Sequence, residues 1–256
     1  MTRLQNLFQQ KPAGILNIYF TAGYPHLNST VELLTALQDN GADICEVGIP
    51  YSDPIADGPV IQKSNLAALA NGMSIPVLFE QLKNFRENIS LPVILMGYLN
   101  PVLQFGIKNF CEKAGILGVD GVIIPDLPLY EFETEYRDIF LANGLHFIFL
   151  VTPETSEDRI RKIDNLGSGF IYAVSSSSTT GREKDHTQQL SYFKKLQGMQ
   201  LKNPVLIGFG IKGKGSFQTA CQYSNGAIIG SAYINELEKG PGIEAVTKDF
   251  LNSVIG

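Results

Sequence analysis

The segment Asp43-Ile44-Cys45-Glu46-Val47-Gly48 places one carboxylate in the middle of an apolar run. Side chains alternate between faces in a strand, so Ile44, Glu46 and Gly48 share one side and Cys45 points to the other. If Ile44 faces a core, Glu46 does too. A poorly solvated carboxyl holds its proton up towards neutral pH, where it can both donate and accept one. A structural ion pair is the competing role, but none of the strand-like runs of the chain contains a Lys or Arg. Just beyond lies Gly48-Ile49-Pro50-Tyr51-Ser52-Asp53-Pro54-Ile55-Ala56-Asp57-Gly58-Pro59. Proline restricts itself and the residue before it, so this loop is stiff enough to hold a carboxylate such as Asp57 in place. Capping of turns and helix starts is the other role open to Asp53 and Asp57.

Two glycine-bearing segments point to an anion. Gly208-Phe209-Gly210-Ile211 follows one apolar run and Gly230-Ser231 ends another. Glycine lets backbone N–H groups approach a phosphate closely, which makes Gly210, Gly230 and Ser231 candidate phosphate contacts.

Absences narrow the chemistry. A Schiff-base aldolase needs a desolvated amine, and no lysine falls in a strand-like run. His26, His146 and His186 are scattered and form no HxxxH or HxH pair, so no metal site is expected, and His146, at the start of a run, reads as structural. Carboxylate acid/base chemistry on a phosphate-anchored small molecule is what remains.

The elements that must position these groups are short apolar runs alternating with helix-like stretches: 16–21, 43–48, 93–98, 121–125, 146–151, 170–174, 204–209 and 226–230. Most start about 25 residues apart, room for one strand, one helix and two loops. This alternation predicts a parallel sheet, and eight units with no GxGxxG after the first run favour an α/β fold of one closed (β/α)8 barrel over an open sheet. Such a barrel carries its site at the C-terminal strand ends. The gap between the second and third runs is double length and holds an insertion with a helix-like stretch near Ile61 to Ala70; an amphipathic N-terminal helix is expected before the first run. Residues 175–186, polar and rich in Ser and Thr, read as a long mobile loop. No linker, repeat or second domain is expected in residues 1–256.

Composition agrees. Hydrophobic residues make up 44% of the chain and charged residues 18%, enough for an enclosed core. A net charge of -5 without a basic stripe argues against nucleic acid. Cys45, Cys111 and Cys221 form no CxxC pair, which fits a reducing compartment, and no apolar run reaches membrane-spanning length. A cytoplasmic protein is expected.

The stretch from Glu46 to Gln62 closely resembles the signature of the tryptophan synthase α-subunit family. Met96 with Tyr98-Leu99-Asn100-Pro101, Pro125-Asp126-Leu127-Pro128, Thr180-Gly181, Gly208-Phe209-Gly210 and Gly230-Ser231 extend the resemblance nearly end to end. It implies retro-aldol cleavage of indole-3-glycerol phosphate to indole and glyceraldehyde 3-phosphate. Glu46 would protonate indole C3 and help remove the glycerol hydroxyl proton, and Asp57 would stabilise positive charge at the indole N–H. Tyr172 would lie beside the substrate near Glu46, and Gly181, Gly210, Gly230 and Ser231 would hold the phosphate. Tyr19, Met96 and Leu127 would wall the indole, and Thr180 would act in loop closure.

The resemblance further implies a pyridoxal-phosphate-bearing β subunit in an α2β2 heterotetramer, touching residues 50–57 and the face around Asn100-Pro101. Residues 175–186 would close over substrate, and no cofactor would be bound by this chain itself. One departure is that Ser178-Thr179 stands where the family usually has a glycine followed by an aliphatic residue. The run Lys212-Gly213-Lys214-Gly215 is also unusually basic beside a phosphate site. A free-standing lyase and a binding subunit whose own chemistry has decayed are alternative readings. A sugar-phosphate epimerase or isomerase would fit the glycines but would not call for the proline-stiffened loop.

Overall fold

The computed structural model describes residues 1–174, 186–208, 210–240 and 242–256, without the side chains of residues 186–188. Among the described residues the apolar runs become strand segments β1 (Ile15–Thr21), β2 (Ile44–Gly48), β3 (Val93–Met96), β4 (Gly121–Ile123), β5 (His146–Phe147), β6 (Leu150–Val151), β7 (Ile171–Val174), β8 (Val205–Gly208) and β9 (Gly226–Ile229). Their order in the sheet is β5-β4-β3-β2-β1-β9-β8-β7-β6, with every pairing parallel.

The fifth run, expected as one strand over 146–151, is split in two. Its first half pairs with β4 and its second half with β7, so the backbone passes from one ladder to the other at Ile148-Phe149. Ile148 N–H donates to Val122 C=O at 3.0 Å, and Tyr172 N–H donates to Phe149 C=O at 3.0 Å. One chain segment thus joins both edges of the sheet and closes it into the α/β barrel. Two strands end two residues earlier than expected. Tyr98 leaves the sheet to become the N-cap of the helix Leu99–Phe105, and β4 stops at Ile123, two residues before Pro125, which has no N–H to give.

Alternation divides the apolar side chains into two bodies. Ile15, Ile44, Ile94, Ile123, Ile148 and Leu206 belong to the barrel interior. Their strand neighbours, Leu16, Cys45, Val93, Val122 and Val205 among them, pack outward into the larger cluster shared with the helices. The interior is plugged at its N-terminal end by the helix Arg3–Gln10, which starts in a capping box between Thr2 and Gln5. Leu4 is fully buried, Leu7 and Phe8 pack on the interior cluster, and the Phe8 ring lies 6.4 Å from that of Phe170. His146 belongs to this plug, 2.9 Å from Thr2 Oγ1 through Nε2 and 2.9 Å from Ser168 Oγ through Nδ1, which bears out its structural reading.

The insertion after β2 contains the helices Pro59–Ala70 and Ile75–Gln81. Proline at the first helical position fits the first of these, since the missing N–H would have had no intrahelical partner there. It docks on β1 through the hydroxyls of Ser64 and Thr21, 2.7 Å apart. No helix among the described residues is long and apolar enough to cross a membrane.

Candidate active site

Glu46 projects into the barrel as alternation requires, with Ile44 of the same strand in the interior cluster and Cys45 in the outer one. It is fully buried. Its Oε1 accepts from Asn17 Nδ2 at 2.6 Å, and its Oε2 has no partner among the described residues. Burial pushes its pKa up to about 8, against the opposing effect of the Asn17 hydrogen bond. The carboxyl is therefore mostly protonated at neutral pH and can still give the proton up.

Asp57 is half-buried on the loop after β2, directly before Gly58, the N-cap of the helix Pro59–Ala70. The loop is shaped by its own turns: Ile55 N–H donates to Asp53 C=O and Asp57 N–H to Pro54 C=O, while Gln62 Nε2 donates to Asp57 C=O. Tyr98 fastens it to the barrel. Its hydroxyl accepts from Ala56 N–H at 3.0 Å and donates to Asp57 Oδ2 at 3.1 Å. Burial raises the Asp57 pKa to about 6, with the Tyr98 hydrogen bond acting in the other direction. The two carboxylates thus titrate at different pH, one mostly ionised and one mostly protonated at pH 7, as a site needing a base and an acid requires.

Two tyrosines lie close by. Tyr172 is buried on β7 within electrostatic reach of Glu46, Asp57 and Tyr19, and Tyr19 is buried on β1 within reach of both carboxylates. Burial first, and then the carboxylates, push both phenols upward, so they stay neutral. Each ring lies over the glycine that ends the next strand: Tyr19 over Gly48, Tyr172 over Gly208. Any side chain at these glycines would collide with the ring.

Met96 ends β3 and packs on the interior cluster. Leu127 is buried too, in the larger cluster that also holds Tyr19.

At the mouth, Gly210 has φ +77, left-handed backbone that glycine adopts without strain. Gly230 is the N-cap of the helix Ser231–Leu237 and abuts Tyr19, and Ser231 is exposed. Lys214, one of the two basic residues beside this region, donates instead to Gly256 C=O at the chain end. Gly181, Thr180 and the Ser178-Thr179 departure lie outside the described residues. The described residues contain no group of three or more His, Cys, Asp or Glu able to hold a metal ion.

Sequence reasoning missed Asn17 and the role of Tyr98. The alternation that exposed Glu46 also puts Asn17, a polar side chain, on the inner face of β1 between Ile15 and Tyr19, which was a usable signal. Tyr98 gave no comparable signal, because its role comes from folding the loop back over the third strand.

Residues 4–254 match the family model described as tryptophan synthase alpha chain. The chain belongs to the tryptophan synthase alpha chain family. The alpha chain of Bacteroides thetaiotaomicron is 51% identical over 93% of this chain and 94% of its own length. That of Parabacteroides distasonis is 51% identical over 97% of each. Among solved structures, the tryptophan synthase alpha chain of Legionella pneumophila superposes with a TM-score of 0.89 at 32% identity, covering 99% of this chain and 95% of that one. A chain of the tryptophan synthase complex from Pyrococcus furiosus gives 0.86 at 34% identity, covering 95% and 98%. The alpha chain family thus shares this barrel over nearly its whole length.

Proposed function

We propose that this chain cleaves indole-3-glycerol phosphate to indole and glyceraldehyde 3-phosphate by a retro-aldol reaction, residues 1–256 acting as one catalytic unit. The observation that carries the reading is Glu46 itself, a fully buried carboxyl with one oxygen bonded to an amide and the other without a partner among the described residues. Glu46 gives its proton to indole C3, which turns the ring into an electron sink. Asp57, held by Tyr98, faces the indole N–H and stabilises the positive charge that develops there. The Glu46 carboxylate then takes the proton of the glycerol hydroxyl next to the ring. The carbon–carbon bond breaks, its electron pair returns to the ring, and an aldehyde is left on the glycerol fragment. Glu46 ends protonated, ready for the next turnover, and no lysine is needed because the protonated indole does the work of an iminium.

Tyr172 lies beside the substrate, with Tyr19, Met96 and Leu127 walling the indole. Gly210, Gly230 and Ser231 hold the phosphate, together with Gly181, and Thr180 acts in loop closure. The chain needs no cofactor of its own. It works in the cytoplasm with a β subunit that carries pyridoxal phosphate, in an α2β2 assembly that takes up the released indole.

Two observations favour this arrangement over a free-standing lyase. Ile55 at the tip of the Asp57 loop is 83% exposed and Leu103 is 45% exposed. The loop and the helix that carry them adjoin through Tyr51, whose ring lies 5.4 Å from that of Tyr98 and whose hydroxyl accepts from Asn100 Nδ2. The test is to supply the purified chain with indole-3-glycerol phosphate, with and without a β subunit, and to quantify both products. Equal amounts of indole and glyceraldehyde 3-phosphate, formed faster with β, are expected. A folded chain that releases no indole in either case would overturn the reading.

A further inference from the structure

The Asn17 side chain is as buried as that of Glu46, and both lie inside the barrel on adjacent strands. Strand pairing sets Asn17 opposite Ile44 and Tyr19 opposite Glu46, so Asn17 reaches the carboxyl diagonally, from beneath. Nδ2 donates to Oε1 at 2.6 Å, while Asn17 Oδ1 and Glu46 Oε2 have no partners among the described residues. A primary amide is the side chain that offers a donor on one side and an acceptor on the other. A carboxylate needs the donor and a carboxylic acid needs the acceptor. An apolar residue at position 17 would serve neither form, a lysine would pin Glu46 in the ionised form, and an aspartate would oppose that form.

We propose that Asn17 is a positioning residue that holds Glu46 in both protonation states: its amide donates to the carboxylate and, turned over by half a rotation, accepts from the carboxylic acid. The proposal rests on the reading that Glu46 passes its proton out and takes one back in each turnover. The other titratable groups around Glu46 are Tyr19 on β1, Tyr172 on β7, Asp57 on the loop after β2 and Cys45, its neighbour on the opposite face of β2. Burial keeps both phenols and the thiol protonated across the range in which Glu46 titrates, and Asp57 has already ionised below it. Asn17 is then the group that follows Glu46 through its titration.

An NMR titration of the full chain without substrate tests this, following carboxyl carbons of 13C-labelled glutamate and side-chain amides of 15N-labelled asparagine. In the wild type, one carboxyl and one amide should move with a common midpoint, and Glu46→Gln should abolish the movement of both. In Asn17→Leu the Glu46 midpoint should rise by about one pH unit, since both bonds are lost and the one to the charged form is the stronger. The kcat for indole release at pH 7 should fall about tenfold while KM stays within about twofold. A Glu46 midpoint unmoved in Asn17→Leu, or an amide that stays silent while Glu46 titrates, overturns the proposal. If Asn17→Leu does not fold, the wild type and Glu46→Gln decide between these outcomes. Because the titration needs no turnover, absence of indole release in the wild type would sink the lyase reading while leaving this result readable.

Discussion

Tyr98 and Asp57 are joined by a hydrogen bond that crosses from the end of the third strand to the loop after the second, with the same hydroxyl accepting from Ala56 N–H. The donor stabilises the charged form of Asp57, so its removal raises the carboxyl's pKa and also frees the loop. Tyr98→Phe should therefore lower kcat/KM at pH 7 by about tenfold, the scale of a hydrogen bond to a charged group, and move the acidic limb of the pH profile upward. An acidic limb in Tyr98→Phe that overlays the wild type would show that the hydroxyl does not govern Asp57.

The wild-type profile itself is fixed by the two carboxylates. Asp57 acts ionised, so activity is lost as pH falls through about 6, and Glu46 acts first as an acid, so activity is lost as pH rises through about 8. A bell-shaped kcat/KM with its maximum near neutrality is expected, and because kcat/KM reports the free enzyme, the limbs belong to these groups before substrate binds. Glu46→Asp and Asp57→Glu should shift opposite limbs. A profile flat from pH 5 to 9 would contradict the assignment of both roles.

Tyr172 lies over Gly208 with no room for a methyl group between them. Gly208→Ala, on a buried strand, should displace the ring and cost at least tenfold in kcat, with a fall in stability of about 1–3 kcal/mol from overpacking. Gly48→Ala should do the same through Tyr19. Thermal denaturation together with steady-state kinetics would check both, and wild-type kcat in Gly208→Ala would mean that the placement of Tyr172 is immaterial.

Keeping an acid in the dry interior costs stability in a pH-dependent way. Folded Glu46 holds its proton up to about pH 8, whereas the unfolded chain releases it near its ordinary value of about 4.3. Between these values the folded state binds more protons, so its stability falls as pH rises, and the penalty is complete above about 8. Glu46→Gln removes this group. It should match the wild type near pH 4 and exceed it at pH 9 by an amount on the order of 5 kcal/mol, read from urea denaturation at the two pH values. A constant difference across that range would mean that Glu46 is not the buried acid described here.

Much of this was legible in the residues. Alternation within residues 43–48 placed Glu46 inside and Cys45 outside, and the spacing of apolar runs gave the barrel, because both follow from local periodicity. The split of the fifth run was not legible, since Ile148-Phe149 looks like any continuous strand and the change of ladder depends on where the two sheet edges meet. Tyr98 was hidden for a related reason, as 41 residues separate it from Asp57 and a turn of the chain brings them together. The engagement of Lys214 with Gly256 likewise depends on a tertiary contact that no local pattern reports.

The most direct test of the account is the rate of indole release from indole-3-glycerol phosphate by wild type and Glu46→Gln, each saturated with a β subunit at pH 7. If Glu46 is the proton donor and acceptor, the variant should be folded, should bind the β subunit as the wild type does, and should lose at least about a thousandfold in kcat, the scale of general acid and base action by one group used twice. A Glu46→Gln chain that releases indole within tenfold of the wild type would contradict the central claim and move the chemistry to another residue of the barrel mouth.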